Sequence, residues 1–127
     1  MSVHFPSRNF VSKGWGWEDW IINSPLYCGK VLFFKKGKKC SWHYHKRKTE
    51  TFYLQSGKLK VYYSFEDCMV DDQFDFTLAN ELMMGPGDHF HLPADLKHQM
   101  YAEEDSYLFE FSTQHFDEDS FRLEKGD

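Results

Sequence analysis

His43 and His45 stand two residues apart, and Glu50 follows after four intervening residues. In an extended chain, residues i and i+2 project from the same face, so the two imidazoles are expected side by side on one strand. Glu50 opens the next apolar stretch beyond a short polar turn, where its carboxylate can come alongside them. His98 begins a late strand-like stretch, from which it can complete the set. Three neutral imidazoles and one carboxylate form a borderline donor set for one divalent transition metal: Zn, Fe, Mn, Ni, Co or Cu. Four protein donors leave positions open on an octahedral ion for water or substrate oxygens. His-x-His alone is more often a pair of ordinary strand residues. The spacing to Glu50 is what turns the balance toward a metal.

Short strands must carry these residues. Val31-Leu-Phe-Phe34 is an apolar run ended by Lys35-Lys-Gly-Lys-Lys39. Cys40–His45 alternates like a strand, Lys46–Thr49 reads as a polar turn, and Glu50–Gln55 as another strand. Ser56-Gly57 sits where a tight hairpin to Lys58–Ser64 is expected. Glu66–Asp75, with Asp71-Asp72, reads as an exposed acidic loop; Phe74, Phe76 and Leu82–Met84 read as strand pieces. Gly85-Pro-Gly-Asp88 is a strong turn signal. His89–Leu92, His98–Tyr101 and Tyr107–Phe111 are the remaining strands, and Asp117–Asp119 suits the start of a short helix or a solvated face. Many short strands at close spacing predict an all-β antiparallel sandwich or barrel.

Composition bounds the function. The chain has 127 residues, a length typical of one domain, so residues 1–127 are read as a single unit. Net charge is −5 and there is no basic stripe, which argues against nucleic-acid binding. The basic residues from Lys35 to Lys48 are solvated turns or, on a sharper reading, a rim attracting an anionic substrate. The odd cysteine count (Cys28, Cys40, Cys68), the lack of a leader-like apolar run and the lack of a membrane-length run together suggest a cytoplasmic protein. Cys40 is separated from His43 by an odd number of residues, so it is expected on the opposite strand face and not on the metal.

Two motifs carry a family resemblance. Gly37, five residues, His43-x-His45, four residues, Glu50, six residues, Gly57 reproduces the first motif of the cupin superfamily. Gly87, Pro93, Asp95, His98 and Ala102 resemble the second, with Asp95 and Ala102 where glycine and asparagine are usual. Asp95 can substitute because aspartate tolerates left-handed backbone. The resemblance implies a cupin jelly-roll barrel (a double-stranded β-helix) with a short helical or irregular C-terminal tail. It also implies metal ligands at His43, His45, Glu50 and His98. Within the superfamily, Lys13–Trp20, Trp42–Glu50 and the acidic tail Glu110–Glu124 resemble the cupin domain of type II mannose-6-phosphate isomerases. His43 stands where that family has glutamine, and the nucleotidyltransferase domain usually fused to it is absent from the sequence.

The leading expectation is therefore a metal-dependent sugar or sugar-phosphate isomerase, with a small-molecule substrate such as a sugar phosphate. A general base is needed, and His91, Glu110 or a metal-bound hydroxide can supply it. His89 and His91 share a face, whether inward or outward. Arg122 can clamp a phosphate or carboxylate, or pair with nearby surface acids. Trp15, Trp17, Trp20, Trp42, Phe33, Phe52, Tyr53 and Phe109 are expected as barrel filling, with one or two on a pocket wall against a sugar. The rivals are an Fe(II)-dependent dioxygenase and a non-catalytic sugar- or small-molecule-binding module. A homodimer is expected, paired through an edge strand at Trp15–Ile22.

Overall fold

Alternation along the chain builds the sheets. In the computed structural model, which describes residues 9–127, Cys28, Lys30, Leu32 and Phe34 are buried, while the residues between them are only half covered. That period of two is what a strand with one face on a core requires. In chain order the strands are β1 (Asn9–Lys13), β2 (Gly16–Asn23), β3 (Cys28–Phe34), β4 (Trp42–Tyr44), β5 (Glu50–Ser56), β6 (Leu59–Ser64) and β7 (Met69–Val70). They continue as β8 (Gln73–Phe74), β9 (Asn80–Met84), β10 (His89–Leu92), β11 (Lys97–Ala102), β12 (Ser106–Ser112) and β13 (Phe121–Glu124).

One six-stranded sheet runs β1-β2-β3-β12-β5-β10 and a five-stranded sheet runs β13-β4-β11-β6-β9. Every named pairing is antiparallel. The two inner faces meet over Phe34, Phe52, Leu54, Val61, Leu92 and Leu108, which are almost fully buried. Each such side chain contributes about 1.5–3 kcal/mol by leaving water. The expected all-β jelly roll is the observed architecture. Among the described residues no helix is long and apolar enough to cross a membrane.

Several local expectations differ from the structure. Ser56-Gly57 does not close a hairpin: β5 pairs with β12 and β10, β6 with β11 and β9, so the turn carries the chain from one sheet to the other. The acidic loop 66–75 contains a small hairpin, β7–β8, whose turn places Asp71 and Asp72 at φ 52° and 62°. Phe74 then stacks on Trp42 at 4.1 Å and covers the outer side of the five-stranded sheet. Phe76 lies in a three-residue 3-10 turn rather than a strand. The tail is mostly strand: after a 3-10 turn at Asp117–Asp119, β13 pairs with β4. Trp15–Ile22 is not an edge, because β1 folds back on β2 and takes that place.

Two corrections concern faces. Phe10, Trp17, Phe33 and Tyr107 form a connected ring cluster on the outer side of the six-stranded sheet, and Tyr53 stacks on Phe109 there. These aromatics alternate with the buried residues and so do not fill the barrel. Cys40 lies inside with the core, where its Sγ accepts the Met100 N–H at 3.3 Å. Strand pairing is interrupted between Lys39 and Trp42, so the odd separation from His43 does not set the face.

Candidate metal centre

His43 lies on β4 and faces His98 on β11 directly across the ladder. His45 follows the end of β4, and Glu50 is the first residue of β5 in the opposite sheet. The site is therefore assembled between the sheets. One nitrogen from each of His43, His45 and His98 lies within 4.8 Å of the others, so the triad could hold a metal ion. Glu50 Oε2 is 3.3 Å from His98 Nε2 and 3.5 Å from His45 Nε2. The motif that frames His98 is also formed: Asp95 adopts φ 71°, the left-handed turn conformation expected of it.

Backbone carbonyls set the tautomers. His43 Nδ1 donates to Ser41 O at 2.8 Å, His45 Nδ1 to Asp119 O at 2.9 Å and His98 Nδ1 to Leu96 O at 2.9 Å. A carbonyl only accepts, so each ring carries its proton on Nδ1 and, when neutral, turns the Nε2 lone pair inward. Such outer hydrogen bonds orient metal-binding imidazoles. Glu50 Oε2 and His98 Nε2 are buried and have no hydrogen-bond partner. A shared cation would satisfy both atoms, and the donor set fits a divalent transition metal.

Burial, reinforced by the neighbouring His98 and His45, holds the His43 pKa well below its ordinary value. Burial lowers His45 as well. Burial alone would raise the Glu50 carboxyl, but Lys48 and the adjacent His98 and His45 outweigh it and hold it well below the usual range. At neutral pH His43 and His45 are thus neutral imidazoles and Glu50 a carboxylate, the protonation states that bind metal.

Lys48 is buried beside the triad. Its Nζ lies 3.3 Å from Glu50 Oε1, 2.7 Å from Glu110 Oε2 and 3.1 Å from His115 Nδ1. Burial alone would lower its pKa, but Glu50 and Glu110 outweigh it and raise it, so Lys48 is an ammonium. Its Nζ–H donates to His115 Nδ1, and His115 Nε2–H donates to the exposed Asp117 carboxylate at 3.0 Å. Burial and two lysines push His115 down to about 4. Ser112 Oγ donates to Glu110 Oε2 at 3.1 Å. Asp119, also buried, accepts the backbone N–H groups of Lys46, Arg47 and Lys48 at 2.9–3.2 Å. It thereby fixes the loop between His45 and Glu50.

His43, His45, Lys48, Glu50 and His115 line a cavity of about 720 Å³ that opens to solvent. Glu110 faces into it from β12, and Arg122 and Lys13 stand on its wall, Arg122 exposed. His91 does not join them. Phe90 turns toward the core, so His89 and His91 point outward, and His91 Nδ1 contacts Thr51 Oγ1 at 3.1 Å. Sequence reasoning missed Lys48, Asp119 and His115. Lys48 is two residues before Glu50, a spacing that hints at a shared face; nothing in the acidic run 117–119 marks Asp119 as buried.

The family model described as "Cupin domain" matches residues 30–112. Among solved structures, the capsular polysaccharide assembling protein CapF from Staphylococcus aureus superposes with a TM-score of 0.74 at 19% identity. That match covers 95% of this chain and 32% of CapF. KdgF from Halomonas sp. gives 0.64 at 20% identity, covering 80% of this chain and 81% of KdgF. Oxalate decarboxylase from Bacillus subtilis gives 0.73 at 19% identity, covering 91% of this chain and 30% of the enzyme. The chain thus spans about a third of the CapF and oxalate decarboxylase chains. At these identities the likeness is one of fold.

Proposed function

The chain belongs to the cupin domain family, and on that premise we propose that it is a metal-dependent sugar or sugar-phosphate isomerase. The observation that carries the reading is a pair of facing, unpartnered donors, Glu50 Oε2 and His98 Nε2, with Glu50 lining the same cavity as a carboxylate that can move a proton, Glu110. His43, His45, Glu50 and His98 are the proposed ligands of one Zn, Fe, Mn, Ni or Co ion. The chemistry such an ion supplies is Lewis-acid polarisation of adjacent substrate oxygens.

Aldose–ketose interconversion moves a proton between neighbouring carbons, so the protein must hold that proton in between. Glu110 is the proposed carrier. Lys48 and Ser112 engage its Oε2, while its Oε1 makes no hydrogen bond among the described residues. Lys48 orients both Glu50 and Glu110, and His115 with Asp117 continues its hydrogen bonds toward solvent. Arg122 and Lys13, both on the cavity wall, suit the anionic end of a sugar phosphate.

The test is turnover of mannose 6-phosphate and a panel of related aldoses by protein loaded with each metal in turn. Activity lost on chelation and in His98→Ala supports the proposal. Protein that holds metal and leaves the whole panel unchanged sinks it. Oxygen uptake with Fe(II) would then favour the dioxygenase, and tight ligand binding without turnover a binding module.

We also propose a homodimer, joined through the outer aromatic face of the six-stranded sheet rather than an edge at Trp15–Ile22. Phe10, Ile21, Tyr107 and Phe111 are exposed there, and apolar patches of this kind mark interaction surfaces. Light scattering that gives a dimer mass, reduced to a monomer in Tyr107→Lys/Phe111→Lys, supports it; a monomer for the unaltered chain refutes it.

A further inference from the structure

Lys30 has no part in the chemistry above, yet it is buried in the middle of β3 and lines the same cavity. It is 4% exposed, and its Nζ makes no hydrogen bond among the described residues. The nearest opposite charge is Glu18 Oε1, 3.7 Å away, beyond hydrogen-bond reach. The ammonium lies instead over the Trp20 ring, 4.1 Å from its centroid. Glu18 Oε1 is already engaged, since it accepts Trp20 Nε1–H at 2.8 Å. The ammonium thus faces the cavity with donors that no described side chain uses, and an apolar residue of similar shape would line that wall at less expense. Its retention is explained if a ligand supplies the missing acceptor.

The neighbours say which ligand. A carboxylate or phosphate at Lys30 would be repelled by Glu18 beside it. A hydroxyl has no such conflict: its oxygen accepts from Lys30 Nζ while its proton is donated to Glu18. Beside them the Trp20 indole offers the apolar wall that the C–H face of a sugar requires. The strand register places Lys30 between Trp20 on β2 and Glu110 on β12, so this corner adjoins the proposed proton carrier.

We propose that Lys30, Glu18 and Trp20 form a hydroxyl-recognising subsite that binds the polyol portion of a sugar whose reacting end sits at the His43–His45–His98 cluster. The proposal rests on the metal-centred sugar reading above and adds an orientation to it. The neutral hydroxyl chain enters this corner, and any anionic terminus stays toward the exposed Arg122.

The experiment compares glycolate with D-gluconate on Zn-loaded protein by calorimetric titration. Both present the same α-hydroxy carboxylate head, and only gluconate has a polyol chain. Unaltered protein is expected to bind gluconate about tenfold or more tighter than glycolate, the scale of one or two hydrogen bonds to charged groups. Lys30→Met and Glu18→Gln should each abolish that preference and leave glycolate affinity and zinc content unchanged. Gluconate should also alter tryptophan emission in unaltered protein but not in Trp20→Phe.

No gluconate preference in the unaltered protein, or full preference retained in both Lys30→Met and Glu18→Gln, overturns the subsite. Equal loss of both ligands in the variants also overturns it, since that is the mark of a structural role. Because the readout is binding, a failure to isomerise sugar phosphates leaves this outcome distinct from the failure of the isomerase reading.

Discussion

Lys48 shows how one side chain governs this cavity. Its ammonium lies within 3.3 Å of Glu50 and 2.7 Å of Glu110, and all three side chains are almost fully buried. Removing one partner from a buried set leaves charge without compensation, typically at a cost of about 3–5 kcal/mol. Lys48→Met is therefore expected to destabilise the metal-free protein on that scale in urea denaturation, with a smaller loss once a divalent metal is present to neutralise Glu50. Equal stability of variant and unaltered protein would show that the three charges are not coupled. The same spacing logic that found His43, His45 and Glu50 applies to Lys48. The basic run around it nevertheless resembles a solvent-facing turn. Lys30 was hidden differently: a lysine among Val31, Leu32 and Phe33 has no local feature that says whether its face meets a core or a cavity.

At the scale of elements, loops hold the ligands in place. Asp119 comes from the tail yet binds three consecutive backbone N–H groups in the loop that joins His45 to Glu50. Orphaned buried donors cost about 1–3 kcal/mol each, and loss of outer-sphere support typically weakens metal binding about 10–100-fold. Asp119→Ala should lower both the denaturation midpoint and the zinc affinity measured by competition with a chelator. Unchanged affinity would mean the loop keeps its shape without the carboxylate. The crossing at Gly57 is the second constraint. Its φ is +99°, and a Cβ there would lie 2.3 Å from Ser106 Oγ and 2.4 Å from Asp105 O. Gly87 has a similar φ of +90° but open space around it. Left-handed strain alone costs about 1–3 kcal/mol, so Gly87→Ala should show that loss in thermal melting and Gly57→Ala clearly more. Similar melting points for the two would remove the role assigned to close approach. The sequence marks both glycines as turns. It cannot say that the turn at Gly57 changes sheets, because that depends on the partners of β5 and β6 far along the chain.

For the whole molecule, the buried titratable groups couple stability to pH. His43, His45 and His115 have folded pKa values below the ordinary 6.5, His115 at about 4. The unfolded chain therefore binds protons that the folded chain refuses, and stability present above pH 6.5 is lost as pH falls below it. Glu50, also depressed, adds a loss in the same direction below its ordinary 4.5. The metal-free protein should have a lower urea midpoint at about pH 5 than at about pH 7.5, and added zinc should raise the midpoint by binding only the folded state. A midpoint that rises on acidification would contradict the protonation states assigned to His43 and His45.

Short-range geometry is legible along the chain. Period two puts His43 and His45 on one face, a four-residue turn brings Glu50 near, and an aspartate can take the left-handed turn before His98. Alternating short strands dictate an all-β chain. The tertiary structure decided which face is which. It put His91 outside and Glu110 inside, buried Cys40, Lys48 and Asp119, moved the edge from β2 to β1, and gathered Lys30, Glu18 and Trp20 on the cavity wall. The physical reason is that alternation sets faces only relative to one another. Which face meets the core depends on pairings such as His98 with His43, formed between residues far apart in the chain.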